Sequence, residues 1–159
     1  MKKALSTLAA ILFSATVLML SVSGSYGIGI NISESLPGRV YLIKKGAKPA
    51  FGLAAFTWTR EKPFKKGLTL IKEIAGRPGD TIEVRGRDIY VNGRFISRAK
   101  ERSLIGAPLP VLNTAGSPFT IPKGFYYMHA PHKDSLDSRY SLLGLVPERD
   151  IIGRAVELF

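Results

Sequence analysis

The chain has 159 residues, of which 45% are hydrophobic and 22% charged, so it can fill the core of one ordinary domain and is not a disordered chain. It contains no cysteine, which excludes a disulfide framework, cysteine-ligated zinc and a thiol nucleophile. The formal net charge of +11 points to acidic partners, but the basic residues are dispersed rather than gathered on one patch. That pattern fits anionic membrane lipid better than nucleic acid, and no nucleic-acid partner is expected.

Residues 4–22 carry no charge and follow Lys2 and Lys3. As a helix this stretch would span roughly 28 Å, close to the hydrocarbon thickness of a bilayer. We expect residues 1–23 to form a retained signal-anchor helix. A cleaved signal peptide ending near Ser21-Val22-Ser23-Gly24 is the competing reading. In either case Lys2 and Lys3 stay inside, so residues 24–159 lie outside the cytoplasm. The expected arrangement is a single-pass protein of the cytoplasmic membrane with a periplasmic or extracytoplasmic domain. Residues 24–30, GSYGIGI, read as a flexible exit from the membrane. The chain extends by at most about 3.6 Å per residue, so Ser35 stays near the bilayer if the anchor is retained.

From residue 39 the pattern is β. Branched and aromatic residues predict short strands over 39–43, 53–58, 69–74 and 81–84. The stretch 88–96 contains Asn92-Gly93, whose tolerance of positive φ predicts a hairpin turn. Residues 97–118 are polar and rich in Pro and Gly and read as a long loop or inserted lobe. Strands resume as FTI (119–121) and FYYMHA (125–130) around Pro122-Lys123-Gly124, and 150–159 closes the chain as a final strand. No helix is expected after residue 22.

Two places carry possible chemistry. Ser33 and Ser35 precede Leu36-Pro37-Gly38, a composition that reads first as a surface turn. Lys72 lies in TLIKEI, where a side-chain period of two puts it on one face with Leu70 and Ile74. A lysine among aliphatics loses hydration of its charged form, so its pKa falls and it can accept a proton from a hydroxyl. The competing reading is a lysine that snorkels its ammonium to water. His129 and His132 fall in a Pro- and charge-rich loop and read as solvated. Their spacing with Asp134 and Asp137 matches no metal-ligand pattern, so neither metal nor cofactor is expected.

Three segments in order give these residues a common meaning. NISESLP (31–37), TLIKEIAGRPGD (69–80) and SLDSR (135–139) resemble the serine, lysine and C-terminal segments of the signal peptidase I family, membrane-bound Ser/Lys proteases. Weaker echoes are Pro122-x-Gly124, Val146-Pro147 and Ile152-Gly153-Arg154-Ala155. The resemblance implies a mostly β fold, a coiled antiparallel β-sheet catalytic domain behind one N-terminal transmembrane helix. It makes Ser35 the nucleophile and Lys72 the general base. Ser33 would form the oxyanion hole with the Ser35 backbone N–H, and Ser135 would orient the lysine. Asp137 and Arg139 would support the site, and Gly79 and Asp80 would secure the turn after the lysine strand. Leu36 and Val40 are candidates for the substrate pocket, which in this family favours small residues before the cut.

The departures from the housekeeping pattern are specific. Leu36 and Pro37 are adjacent, Glu73 stands where a basic residue follows the lysine, and His129-Ala130-Pro131-His132 replaces a Gly-Asp-Asn stretch. With Asn31-x-Ser33-x-Ser35, these look more like the TraF-type conjugative-transfer peptidases, which mature pilin subunits and in some systems take part in cyclising them. Against that, Ser141-Leu142-Leu143-Gly144 is longer than the usual link to glycine, and Gly38 comes one position early. The partners implied are an exported precursor such as a pilin precursor, membrane lipid and conjugation-machinery subunits. The competing functions are a housekeeping signal peptidase, a non-catalytic membrane-tethered β-domain scaffold, and a self-cleaving Ser/Lys regulator. The last is disfavoured by the apolar N-terminus and the absence of a helix-turn-helix pattern.

Overall fold

A computed structural model describes residues 11, 13, 14, 24–112 and 117–159. The expected anchor helix therefore lies outside the described residues, apart from those three positions. Among the described residues, no helix is long and apolar enough to cross a membrane.

The fold is mostly β and antiparallel, as the sequence predicts. The larger sheet contains β1 (Tyr26–Ile30), β2 (Val40–Lys45), β3 (Gly52–Thr57), β4 (Thr69–Gly76), β9 (Phe125–His129), β10 (Val146–Pro147) and β11 (Ile151–Glu157), in the order β1-β2-β11-β3-β4-β9-β10. The smaller sheet contains β5 (Thr81–Arg85), β6 (Asp88–Val91), β7 (Arg94–Arg98) and β8 (Phe119–Thr120), in the order β7-β6-β5-β8. A 3-10 turn, Glu148–Asp150, is the one helical piece in the described residues after Ser25. Asn92 and Gly93 take φ of 50° and 77°, the positive values the hairpin between β6 and β7 requires.

Residues 24–30 correct the reading of a flexible exit. Tyr26 to Ile30 pair in register with Lys44 to Val40 of β2, so this segment is the edge strand of the larger sheet. The usual cue was inverted. In YGIGI the isoleucines Ile28 and Ile30 face outward and are exposed, while the glycines face in. A Cβ on Gly29 would sit 2.7 Å from Ile71 Cδ1 and 3.3 Å from Ile43 Cδ1. Three strands separate β1 from β4 in the sheet order, so that contact requires the sheet to coil until its edge meets its middle.

The two faces of β4 pack into different clusters. Leu70 and Ile74 pack with Phe56, Trp58 and Met128. Ile71 packs with Leu36, Tyr41, Ile43, Ala55 and Ala130. At Gly76 a register shift ends the ladder with β9, and Ile121 and Tyr127 approach too closely for any Cβ. The chain then turns into the smaller sheet. Asp80 fixes that turn: its carboxylate accepts from the Arg77 N–H at 2.7 Å and from Asn92 Nδ2 at 2.8 Å. The smaller sheet has its own core of Ile82, Ile89, Val91, Leu112 and Ile121, closed against Tyr127 of β9.

The described part of 97–118 is a lobe with no strand of its own between β7 and β8. It is held by isolated bridges from Arg102 to Pro108 and from Val111 to Tyr140. The Lys100 N–H donates to the Tyr140 hydroxyl at 3.0 Å, and the Lys100 ammonium pairs with Asp134. The lobe is thereby tied to the segment that follows β9.

Candidate active site

Ser33 and Ser35 occupy the connection between β1 and β2, residues 31–39. The Asn31 N–H closes this loop onto the Arg39 carbonyl at 2.8 Å. Ser33 is exposed at the surface, whereas Ser35 is 8% and Leu36 7% exposed, so the chain dips inward at the second serine. The two hydroxyls are 2.9 Å apart. Leu36 enters the same apolar cluster as Ile71, the neighbour of Lys72. The coil of the sheet thus lays the serine loop against the lysine strand.

Lys72 does not snorkel. It is 5% exposed, set between Leu70 and Ile74 as the strand period predicts. Its Nζ donates to Ser135 Oγ at 2.7 Å. Burial lowers its pKa from 10.5 to about 8; the carboxylate of Asp137 opposes that shift, and the Arg139 charge adds to it. About one lysine in ten is then neutral at pH 7, against roughly one in several thousand at the ordinary value.

Ser135 is itself held by a buried ion pair. Asp137 is fully buried and Arg139 is 2% exposed. Asp137 Oδ1 accepts from Arg139 Nε at 2.8 Å, and Oδ2 accepts from the Ala130 N–H at 3.0 Å. Burial alone would raise the Asp137 carboxyl, but the contacts from His129 and Arg139 hold it below its ordinary value. Arg139 Nη2 donates to the carbonyls of His132 at 3.0 Å and Ser135 at 3.2 Å. The pair therefore fixes the loop on which Ser135 stands. Such a pair also satisfies backbone groups that would otherwise be orphaned in the interior.

Among the described residues, no hydrogen bond joins Ser35 Oγ to Lys72 Nζ. Two links run between their segments instead. One is the apolar cluster that holds both Leu36 and Ile71, on the face of β4 opposite Lys72. The other is polar: Glu34 Oε2 lies 3.6 Å from His132 Nε2, and the Ser135 N–H donates to the His132 carbonyl at 3.1 Å. Lys72, Ser135, Asp137 and Arg139 form one hydrogen-bonded cluster, and Asn31, Ser33 and Ser35 form another. The two pocket candidates separate. Leu36 is a core residue, while Val40 is half-buried at the start of β2, opposite Ile30.

The structure corrects the reading of His129 as a solvated loop histidine. Strand β9 continues through His129, which pairs with Glu73 of β4 and is 9% exposed. Its Nδ1 lies 3.3 Å from Asp137 Oδ2. The stretch FYYMHA reads as a strand in the sequence, and the pairing with β4 shows that this strand, not the Pro- and charge-rich loop after it, holds His129. His132 does lie in the loop. The sequence reading also left Ser138 without a role. Its hydroxyl accepts from the Met128 N–H at 2.9 Å and donates to the Gly144 carbonyl at 2.7 Å, pinning the site segment to β9. Its place inside SLDSR was the available signal.

The model of the family described as "Signal peptidase, peptidase S26" matches residues 1–159. This chain belongs to the signal peptidase family. Among its relatives, signal peptidase I of Bacillus amyloliquefaciens is 33% identical over 98 residues, covering 56% of this chain and 48% of that protein. The conjugal transfer protein TraF of Agrobacterium fabrum is 29% identical over 90 residues, covering 57% of this chain and 48% of the relative. The chain thus spans about half the length of these relatives. A solved signal peptidase I from Enterococcus faecalis V583 is 28% identical, covers 67% of this chain and 96% of that one, and superposes with a TM-score of 0.43.

Proposed function

We propose that this family member is a membrane-anchored serine endopeptidase that removes leader peptides from exported precursors on the outer side of the cytoplasmic membrane. The observation that carries the reading is Lys72, a buried amine with a pKa of about 8, hydrogen-bonded to Ser135. Ser35 attacks the scissile carbonyl, and neutral Lys72 takes its proton. The resulting ammonium then gives that proton to the leaving amine. Ser33 Oγ and the Ser35 N–H stabilise the oxyanion of the tetrahedral intermediate. The Ser35 hydroxyl turns from Ser33 to Lys72 when substrate seats, since catalytic hydrogen bonds commonly tighten only in the substrate complex. Ser135 and the Asp137–Arg139 pair hold the lysine in place.

The test uses the full chain in detergent with a secretory precursor that has small residues before its cut. Cleavage should be lost in Ser35→Ala and in Lys72→Met. Undiminished cleavage by either variant would refute the assignment.

A dedicated substrate is the second reading: maturation of a conjugative pilin precursor in company with conjugation-machinery subunits. It is supported by the TraF relative, by Asn31-x-Ser33-x-Ser35 and by the adjacent Leu36-Pro37. Deleting the gene discriminates. Loss of pilus assembly with normal growth favours the dedicated enzyme, and a general secretion defect favours the housekeeping one.

A further inference from the structure

One side chain organises the serine loop: Asn31 opens the NISESLP segment, but the proposed chemistry gives it no part. Asn31 Nδ2 donates to the carbonyls of Leu36 at 3.0 Å and Gly38 at 2.9 Å. Asn31 Oδ1 accepts from the Ser33 N–H at 3.1 Å and from the Ser33 hydroxyl at 3.0 Å. A carboxamide offers two donor hydrogens and two acceptor lone pairs, so its whole capacity is used. The orientation is forced by the partners. Carbonyl oxygens can only accept, so the amide nitrogen must face Leu36 and Gly38 and the oxygen must face Ser33.

That orientation fixes the protons further along. The Ser33 hydroxyl has one hydrogen, and it is given to Asn31 Oδ1. At the 2.9 Å contact between the two serine hydroxyls, Ser35 is therefore the donor. The resting order is Ser35 to Ser33 to Asn31. No other natural side chain of this length does the same. Aspartate keeps the acceptors but loses both donors, and serine or alanine cannot span Ser33 and the two carbonyls.

We infer that Asn31 is a positioning residue for the hydrolytic reaction, holding Ser33 Oγ beside Ser35 so that its hydroxyl can swing from Asn31 Oδ1 to the oxyanion. The inference rests on the peptidase reading given above. When Ser35 surrenders its proton to Lys72, Ser33 Oγ loses the hydrogen bond it accepted from the Ser35 hydroxyl and keeps only the long one from the Ser35 N–H at 3.5 Å. Its own proton then turns about the Cβ–Oγ bond toward the new negative charge. A charge-assisted bond to the oxyanion is stronger than the neutral one to Asn31, so the exchange runs forward. Asn31 touches no reacting atom and acts through Ser33.

The test is a double-mutant cycle on the full chain in detergent, with a secretory precursor that has alanine before its cleavage point as substrate. Asn31→Ala should lower kcat by about 10-fold or more with KM within ~3-fold, and Ser33→Ala by about 100-fold. The loss caused by Asn31→Ala should be several-fold smaller in the Ser33→Ala background than in the parent, because the bond to the Ser33 hydroxyl is gone there and only those to the Ser33 N–H, Leu36 and Gly38 remain. A merely structural brace would reduce activity by the same factor in both backgrounds, and that result overturns the inference. Should Asn31→Ala fail to fold, Asn31→Ser enters the same cycle; its oxygen is too short to reach the Ser33 hydroxyl, and the same non-additivity is expected. The parent and Ser35→Ala run alongside. A folded parent no more active than Ser35→Ala on both this precursor and a conjugative pilin precursor would refute the peptidase reading, and this inference with it. An active parent with multiplicative losses would refute this inference alone.

Discussion

Replacing Lys72 by methionine tests the burial of the amine without any assay of activity. With a pKa of about 8 in place of 10.5, the folded chain binds this proton more weakly than the unfolded chain does. At ~1.4 kcal/mol per pH unit, the gap amounts to about 3 kcal/mol. The sign is destabilising at neutral pH. Between pH 8 and 10.5 the unfolded state holds more protons, so stability rises with pH and the penalty is gone above that window. Methionine is unbranched and similar in volume, so it removes the charge with little change in packing. It also leaves Ser135 Oγ without its donor, at a cost of about 1–3 kcal/mol that does not vary with pH. The net change at pH 7 is therefore small, and the informative quantity is its pH dependence. Urea unfolding of the full chain in mild detergent would be compared at pH 7 and 10.5. The parent should gain about 3 kcal/mol on the variant over that interval, a relative midpoint shift of roughly 1.5 M at a slope of ~2 kcal/mol/M. Tyrosines and the remaining lysines titrate in both proteins and cancel. Parallel stability curves would mean that Lys72 keeps an ordinary pKa in the fold, and the case for it as a base would fail.

Three other outcomes follow from the geometry. If neutral Lys72 is the base, kcat/KM for precursor cleavage should rise about tenfold per pH unit below pH 8 and level off above it; a plateau already reached by pH 6.5 would exclude the lysine. Asp137→Asn leaves Arg139 buried beside a neutral amide and should cost about 3–5 kcal/mol, lowering Tm by roughly 10 °C or more in a thermal melt; a loss under ~1 kcal/mol would show that the pair does not hold the loop. Gly153→Ala puts a Cβ 2.0 Å from the Lys44 carbonyl oxygen, inside the β2–β11 ladder, and should cost about 3 kcal/mol or more, whereas Gly46→Ala, with φ of 69° and open space around it, should cost only about 1 kcal/mol in the same urea titration.

The readings that held were those set by local periodicity. Lys72 sits between Leu70 and Ile74 because a strand alternates its side chains, and Asn92-Gly93 turns because both residues accept positive φ. His129 differs for the opposite reason: FYYMHA reads as a strand that includes it, but Pro131, His132, Lys133 and Asp134 argue for solvent, and the β4 partner that helps bury it, Glu73, lies 56 positions away. Strand β1 escaped notice because its glycines face the interior and its isoleucines face outward.

By itself the sequence determined the strand-rich class, since composition and alternation are local properties, and the resemblance of three short segments to the signal peptidase family singled out Ser33, Ser35, Lys72, Ser135, Asp137 and Arg139 as candidates. Only the tertiary structure decided that Lys72 is buried rather than extended to water, and that Asn31 saturates its amide on the serine loop. It alone brought the sheet edge at Gly29 onto Ile71. Those outcomes depend on the coil of the sheet and on contacts between distant segments, and nothing in a local stretch of chain encodes the dielectric surroundings of an amine or the partners of an amide.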